Sequence, residues 1–117
     1  MYGGRQSTED IGQGTGCTAC SAIITPTEII VGNSGDSRAV LARKSASKFL
    51  GVEMSEDHKP DLATEKDRIE RAGGFVEMSR VKGVLALSRA LGDLEYKQDA
   101  KLNAKDQMIT AVPEVKR

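Results

Sequence analysis

The sequence contains no tryptophan, two phenylalanines and two tyrosines, so aromatics make up only 3% of its 117 residues. Large aromatic anchors therefore cannot organise the core, which must be a small one of Ile, Val, Leu and Ala or part of a larger one. Neither sign of charge is in excess: 17 Lys plus Arg balance 17 Asp plus Glu. That balance argues against a nucleic-acid footprint. The mixing of signs along the chain indicates a solvated surface rather than a charged tail. No apolar run approaches the ~20 residues that cross a bilayer, and Met1-Tyr2-Gly3-Gly4-Arg5 lacks the apolar stretch of a signal peptide. An intracellular protein, cytoplasmic or nuclear, is the expectation. The length fits one domain at most.

Metal-ligating soft residues are scarce too. One histidine and two cysteines cannot complete a four-ligand zinc site. Cys17 and Cys20 form a C-x-x-C, but they lie in a run that reads as a strand, where positions three apart face opposite sides. They are expected to pack as two small buried residues.

What is present is alternation of short β-branched runs with turn formers. Residues 1–15 are Gly-, Ser-, Thr- and Gln-rich and read as a loop or frayed end. Residues 17–25, 28–33 and 37–43 read as three strands with short connections, which predicts an antiparallel meander. Residues 44–48 suit a hairpin tip, with 49–54 returning. Pro60-Asp61 opens a helix whose apolar face is Leu62, Ile69 and Ala72, supported by Lys66–Glu70 and Asp67–Arg71 pairs four apart. Gly73-Gly74 supplies a left-handed stop. Residues 75–78 and 84–87 read as strands around a turn at Val81-Lys82-Gly83. Ser88 to Asp93 reads as a tight turn, 97–106 as a polar loop, and 107–112 as a last strand stopped by Pro113. The fold class is α+β with strands dominant.

Four places invite a chemical reading. Asp36 follows a strand in Asn33-Ser34-Gly35-Asp36. A carboxylate held there is either a ligand for a hard cation such as magnesium or manganese, or the cap of an Asx-type turn. His58 in Glu56-Asp57-His58-Lys59-Pro60 is either a general acid or base or a histidine that packs and orients a loop. The second reading is favoured because no partner constellation accompanies it. The glycines of Gly12-Gln13-Gly14-Thr15-Gly16 suggest a phosphate cradle, but the loop runs into a strand, not a helix, and no Gly-Lys-Ser/Thr follows. Arg80, beside a hairpin, is either a contact for phosphate or an acidic substrate, or an ordinary surface arginine. Arg89 and Asp93 flank a tight turn and suit an internal ion pair or turn cap.

Read in order, these segments resemble one family. Gly16-Cys17-Thr18-Ala19, Asn33-Ser34-Gly35-Asp36-Ser37-Arg38-Ala39-Val40 and Asp57-His58-Lys59-Pro60 come first. Glu65, Arg68-Ile69 and Ala72-Gly73-Gly74 follow, then Arg80-Val81, the run from Leu85 to Asp93, and Pro113-Glu114-Val115. The ordered set is similar to type 2C, metal-dependent protein serine/threonine phosphatases. The resemblance implies two packed antiparallel sheets flanked by helices, of which residues 16–117 would be a central part: strands over 17–54, a flap of helix and hairpin over 61–84, and strands and turn over 84–115. It implies hydrolysis of phosphoserine and phosphothreonine in phosphoprotein substrates by a water activated between two magnesium or manganese ions, in a monomeric parent protein. It assigns Asp36 to an additional, weaker metal position and makes Arg80 a flap candidate for substrate contact. The family's Glu-Asp, Asp-Gly-His-Gly, Asp-Gly-x-x-Asp and Asp-Asn ligand segments and its phosphate-binding arginine have no match in this sequence. The expectation is an internal fragment, inactive alone, with unpaired strand edges and exposed apolar faces. A non-catalytic phosphatase-like binding module is the alternative, and a nucleotide-binding module on the Gly-rich start a more distant one.

Overall fold

The structure is a computed structural model and describes residues 14–117. The loop expected over 1–15 and the start of the Gly-rich segment, Gly12-Gln13, lie almost entirely outside the described residues.

Gly16–Cys17 (β1) and Ala19–Ile24 (β2) replace the single strand expected over 17–25, with Thr18 breaking the run. Ile29–Ser34 (β3) pairs antiparallel with β2, from Ala19 opposite Ser34 to Ile24 opposite Ile29. The connection at residues 25–28 closes on Thr25, whose hydroxyl accepts from the Thr27 and Glu28 amides. Val40–Ser45 (β4) and Lys48–Glu53 (β5) form the expected hairpin over a two-residue turn, with Ala46 at φ 53°.

The meander does not continue from β3 into β4. The outer edge of β3 is taken by Glu114–Lys116 (β9), so the sheet order is β2-β3-β9. The residues between β3 and β4 are committed to side-chain and loop contacts described below, which prevents a tight hairpin there. The last strand accordingly begins after Pro113 rather than ending before it. Residues 107–112 form no strand, and Thr110 makes only an isolated parallel bridge to Arg89. Their backbone and side chains serve other segments instead: the Ala90 amide donates to Thr110 O, and Arg68 Nε donates to Gln107 O.

The helix, Ala63–Arg71 (α1), starts three residues later than Pro60 and carries no side-chain cap. Its C-terminus follows the sequence: Gly73 sits at φ 80°, its N–H reaches Glu70 O, and the Gly74 N–H reaches Ile69 O. This double closure is the left-handed helix stop that glycine makes cheap. Val76–Glu77 (β6) and Arg80–Val81 (β7) form a hairpin. Its turn is Met78-Ser79, both at positive φ, a reversal that comes in addition to the expected one at Val81-Lys82-Gly83. Lys82 and Gly83, also at positive φ, make a second reversal that returns Leu85 to an isolated bridge with Val81 in place of the strand expected over 84–87. Leu91–Gly92 (β8) pairs with β1, and a 3-10 turn follows over Leu94–Tyr96.

The fold is α+β with antiparallel ladders, as the sequence implies. Its buried core is Ile69, Val81, Ala90 and Ile109, with Val76, Leu85, Leu87, Tyr96 and Met108 packed around it. That core ties α1 to the β6–β7 hairpin and leaves the first sheet poorly covered. Ile23, Ile24, Phe49, Leu50 and Val115 are exposed. An open groove of about 560 Å³ runs between the β2–β3 turn and the β4–β5 hairpin, lined by Ile24, Ile29, Leu41, Val52 and Met54 among others. The expected apolar faces are therefore present. Cys17 and Cys20, expected to be buried, are both exposed free thiols, because nothing among the described residues covers β1 or this part of β2.

Candidate functional site

The segment from Asn33 to Ala39 leaves β3 and lies along residues 54–59 through a series of pairings. Asn33 Nδ2 donates to Glu56 O at 2.8 Å and to Gly35 O at 3.0 Å. The His58 N–H donates to Gly35 O at 3.0 Å, and the Gly35 N–H donates to His58 Nδ1 at 3.1 Å. Arg38 meets Asp57 with two donors, Nε to Oδ1 at 3.1 Å and Nη2 to Oδ2 at 2.9 Å. The Ala39 N–H donates to Ser55 Oγ at 2.8 Å, and the Met54 N–H to Ala39 O at 2.9 Å. Two motifs about 20 residues apart in sequence thus become one surface. The Arg38 hydrogen bond and charge hold the Asp57 carboxyl below its usual range, against a smaller opposing push from burial.

Gly35 is required at its position. It sits at φ 114°, and a Cβ there would lie 2.4 Å from Thr18 Cγ2 and 3.0 Å from Arg89 O. Thr18 is itself fixed, its hydroxyl 2.6 Å from that of Ser37.

Asp36 is half-buried at the outer end of this loop, as a solvent-reaching carboxylate requires, and forms an ion pair with Lys59. Its oxygen donors suit a hard cation. Among the described residues, however, no group of three or more His, Cys, Asp and Glu side chains converges in a way that could hold a metal. Asp36 can supply one ligand of a set, and the described residues do not fit a metal centre by themselves.

Arg80 is exposed in β7, its Nη1 donating to Val84 O at 2.7 Å. It lines a depression of about 300 Å³ with Lys59, Asp61, Met78, Ser79 and Ala86. Lys59 belongs both to this depression and to the Asp36 pair, so the two site residues singled out from sequence are neighbours through it. Met78 projects from the hairpin tip, 88% exposed. The Ser79 hydroxyl donates to Asp61 at 2.9 Å.

His58 has no exposed surface. It acts on backbone, which agrees with a loop-orienting role. Gly14, Thr15 and Gly16 run into β1 and not into a helix, so the geometry of a phosphate cradle is absent from the described part of the Gly-rich segment. Arg89 does form an internal ion pair, but with Glu65 rather than with Asp93.

Glu65 is the residue whose role the sequence did not disclose. Its carboxylate is 1% exposed and meets Arg68 Nη1 at 2.7 Å and Arg89 Nη2 at 2.6 Å. The Ser88 hydroxyl lies 2.8 Å from the same carboxylate. Arg68 also donates to Ser88 O at 2.6 Å, and Arg89 to Val112 O at 3.1 Å. Burial pushes the Glu65 carboxyl up, but the Arg89 and Ser88 hydrogen bonds together with Arg68 outweigh it and hold the group at about 2. The available signal was the three-residue spacing of Glu65 and Arg68 on the face that carries Ile69 and Ala72.

The sequence model of protein phosphatase 2C matches residues 5–117. The chain belongs to the protein phosphatase 2C family. It is 57% identical over 102 residues to probable protein phosphatase 2C 2 of Paramecium tetraurelia, covering 87% of this chain and 33% of that protein. It is 52% identical over 101 residues to protein phosphatase 2C homolog 2 of Hypocrea jecorina, covering 86% and 22%. Among solved structures it resembles a phosphatase from a pathogenic strain of Toxoplasma gondii, with a TM-score of 0.66 and 47% identity over 74% of this chain and 26% of that one. A Caenorhabditis elegans sex determining protein matches with a TM-score of 0.62 and 32% identity, over 84% of this chain and 22% of that one. The chain spans about a third or less of the length of these phosphatase 2C relatives.

Proposed function

We propose that this chain is the part of a metal-dependent protein serine/threonine phosphatase that supplies an accessory metal ligand, Asp36, and a substrate-bordering flap over residues 61–84. The observation that carries the reading is Lys59, which pairs with Asp36 and also lines the depression that carries Arg80, so that the two interlocked motifs and the β6–β7 hairpin adjoin there. Magnesium or manganese, when bound, supplies Lewis acidity and lowers the pKa of water in such a centre. This chain's residues do three things there. Asp36 offers a hard oxygen donor. Lys59 holds that carboxylate and neutralises it. Arg80 presents a cation to an anionic substrate group, the favourable pairing for a phosphorylated side chain. The principal ligands belong to segments beyond these residues, so the 117-residue chain is inactive alone.

The test is manganese-dependent hydrolysis of a phosphothreonine peptide. A longer protein containing this segment is expected to be active, with Asp36→Ala weakening the response to added metal and Arg80→Ala raising KM. The 117-residue chain is expected to show no hydrolysis above buffer. Hydrolysis by the 117-residue chain that vanishes in Asp36→Ala would overturn the assignment of the principal ligands elsewhere. Inactivity of every longer protein would favour a non-catalytic binding role.

A further inference from the structure

We propose that His58 is a positioning residue, a clamp on Gly35 that fixes the direction in which Asp36 points. The proposal rests on the reading of Asp36 as a site residue, but its physical core does not. The imidazole Nδ1 accepts the Gly35 N–H at 3.1 Å, so Nδ1 carries no proton. A neutral ring must then hold its proton on Nε2. The His58 backbone N–H returns a bond to Gly35 O at 3.0 Å, so one residue holds both backbone groups of another.

Gly35 needs such a clamp. Its φ of 114° lies where only glycine is at ease, and glycine has the most backbone freedom to lose. Asp36 follows directly, and any rotation at Gly35 would swing its carboxylate. Asn33 Nδ2 adds a second donor to Gly35 O at 3.0 Å.

The clamp is anchored from behind. His58 O accepts the Ser88 N–H at 3.4 Å, and the Ser88 hydroxyl sits 2.9 Å from it and 2.8 Å from Glu65, with its single proton divided between the two oxygens. On the far side, His58 Nε2 is buried without a hydrogen bond and lies 3.4 Å from Glu114 Oε2 of β9. The ring thus lies between the Gly35 loop and Glu114 of β9, while its backbone is tied through Ser88 to the buried Glu65. With no exposed surface of its own, the ring cannot touch a substrate directly, which separates it from a general acid or base in contact with the reacting group.

Only one histidine occurs in the chain, so its imidazole signals are unambiguous in a nitrogen-15-labelled sample. The experiment is a long-range proton–nitrogen correlation of the imidazole, with a measurement of scalar coupling across the Gly35 N–H···Nδ1 bond. A single Nε2–H tautomer and a resolved coupling to the Gly35 nitrogen are expected. An Nδ1–H tautomer, a tautomer mixture, an imidazolium at pH 7.5 or no coupling would overturn the clamp.

Two variants test the positioning. In His58→Asn the side-chain oxygen can replace Nδ1 as acceptor, whereas His58→Phe offers none. His58→Phe should speed Gly35 amide exchange at least ~10-fold relative to Ile69 in α1 and shift the Asp36 carboxyl carbon, with His58→Asn restoring both. Unchanged Asp36 and Gly35 signals in His58→Phe would refute the proposal. If His58→Phe unfolds throughout, the wild-type tautomer and coupling decide. None of these readouts involves metal or substrate, so a failed clamp and a failed phosphatase reading give separate results.

Discussion

Replacing Glu65 by Gln should remove more stability than any exposed charge change, and it should remove it in a pH-dependent way. In the folded chain the Glu65 carboxyl is held at about 2 against its ordinary 4.5. The sign follows from the depression. The carboxylate form is favoured by folding, so the contribution is fully present above pH 4.5 and is lost as pH falls toward 2. A difference of roughly 2.5 units corresponds to about 3 kcal/mol at neutral pH, of which about 2 kcal/mol is gone by pH 3. Glu65→Gln keeps the shape but leaves Arg68 and Arg89 without their counter-charge, and breaking one side of a buried ion pair costs about 3–5 kcal/mol. The assay is urea unfolding of both proteins, followed by far-ultraviolet circular dichroism at pH 7 and pH 3. The variant should be less stable by about 3 kcal/mol at pH 7 and by only about 1 kcal/mol at pH 3. A deficit below about 1 kcal/mol at pH 7, or one that does not shrink on acidification, would refute the account of Glu65 as a buried, doubly paired carboxylate.

Gly35→Ala should cost about 3 kcal/mol, because it combines positive-φ strain with a Cβ driven into Thr18 and Arg89 O; a change under about 1 kcal/mol in urea unfolding would mean that the loop relaxes freely. Cys17 and Cys20 should both react with a thiol reagent under native conditions, within about 10-fold of their rate in urea, because neither is covered. Protection of either one would place it under a cover that this chain builds.

The elements set by local chemistry were legible in the sequence. The β4–β5 hairpin, the β2–β3 pair and the glycine stop after α1 each depend on neighbours within a few residues. The elements set by distant partners were not. Nothing around Ile29 to Ser34 states that its second edge will be filled by residues 114–116, beyond Pro113. The reversal that Lys82-Gly83 advertises is present, whereas the β6–β7 turn before it stayed hidden because Met78-Ser79 adopts positive φ with residues that seldom do. Burial of the cysteines was inferred from residue type, and coverage of a sheet face depends on what packs upon it. At the site, Asp36 and Arg80 were visible as motif residues, and their connection through Lys59 was not. Glu65 and Arg68 were hidden for a different reason: charged side chains on a helix are ordinarily assigned to solvent, and these two complete the inward face beside Ile69.

The pairing of β3 with β9 also sets a timetable. Asn33 must wait for Glu114 and Val31 for Lys116, so more than 80 residues separate the central strand from its second partner. At a synthesis rate of about 5–20 residues per second, that delay amounts to roughly 4–16 s. Throughout it, β3 can pair with β2 on one side while its other row of amides and carbonyls stands open to any passing strand. Loop closure over such a distance is also slow in a refolding chain. On sequence separation alone, the hairpins and α1 are expected to form before the Gly35 loop closes on residues 54–59, and the β3–β9 pairing last.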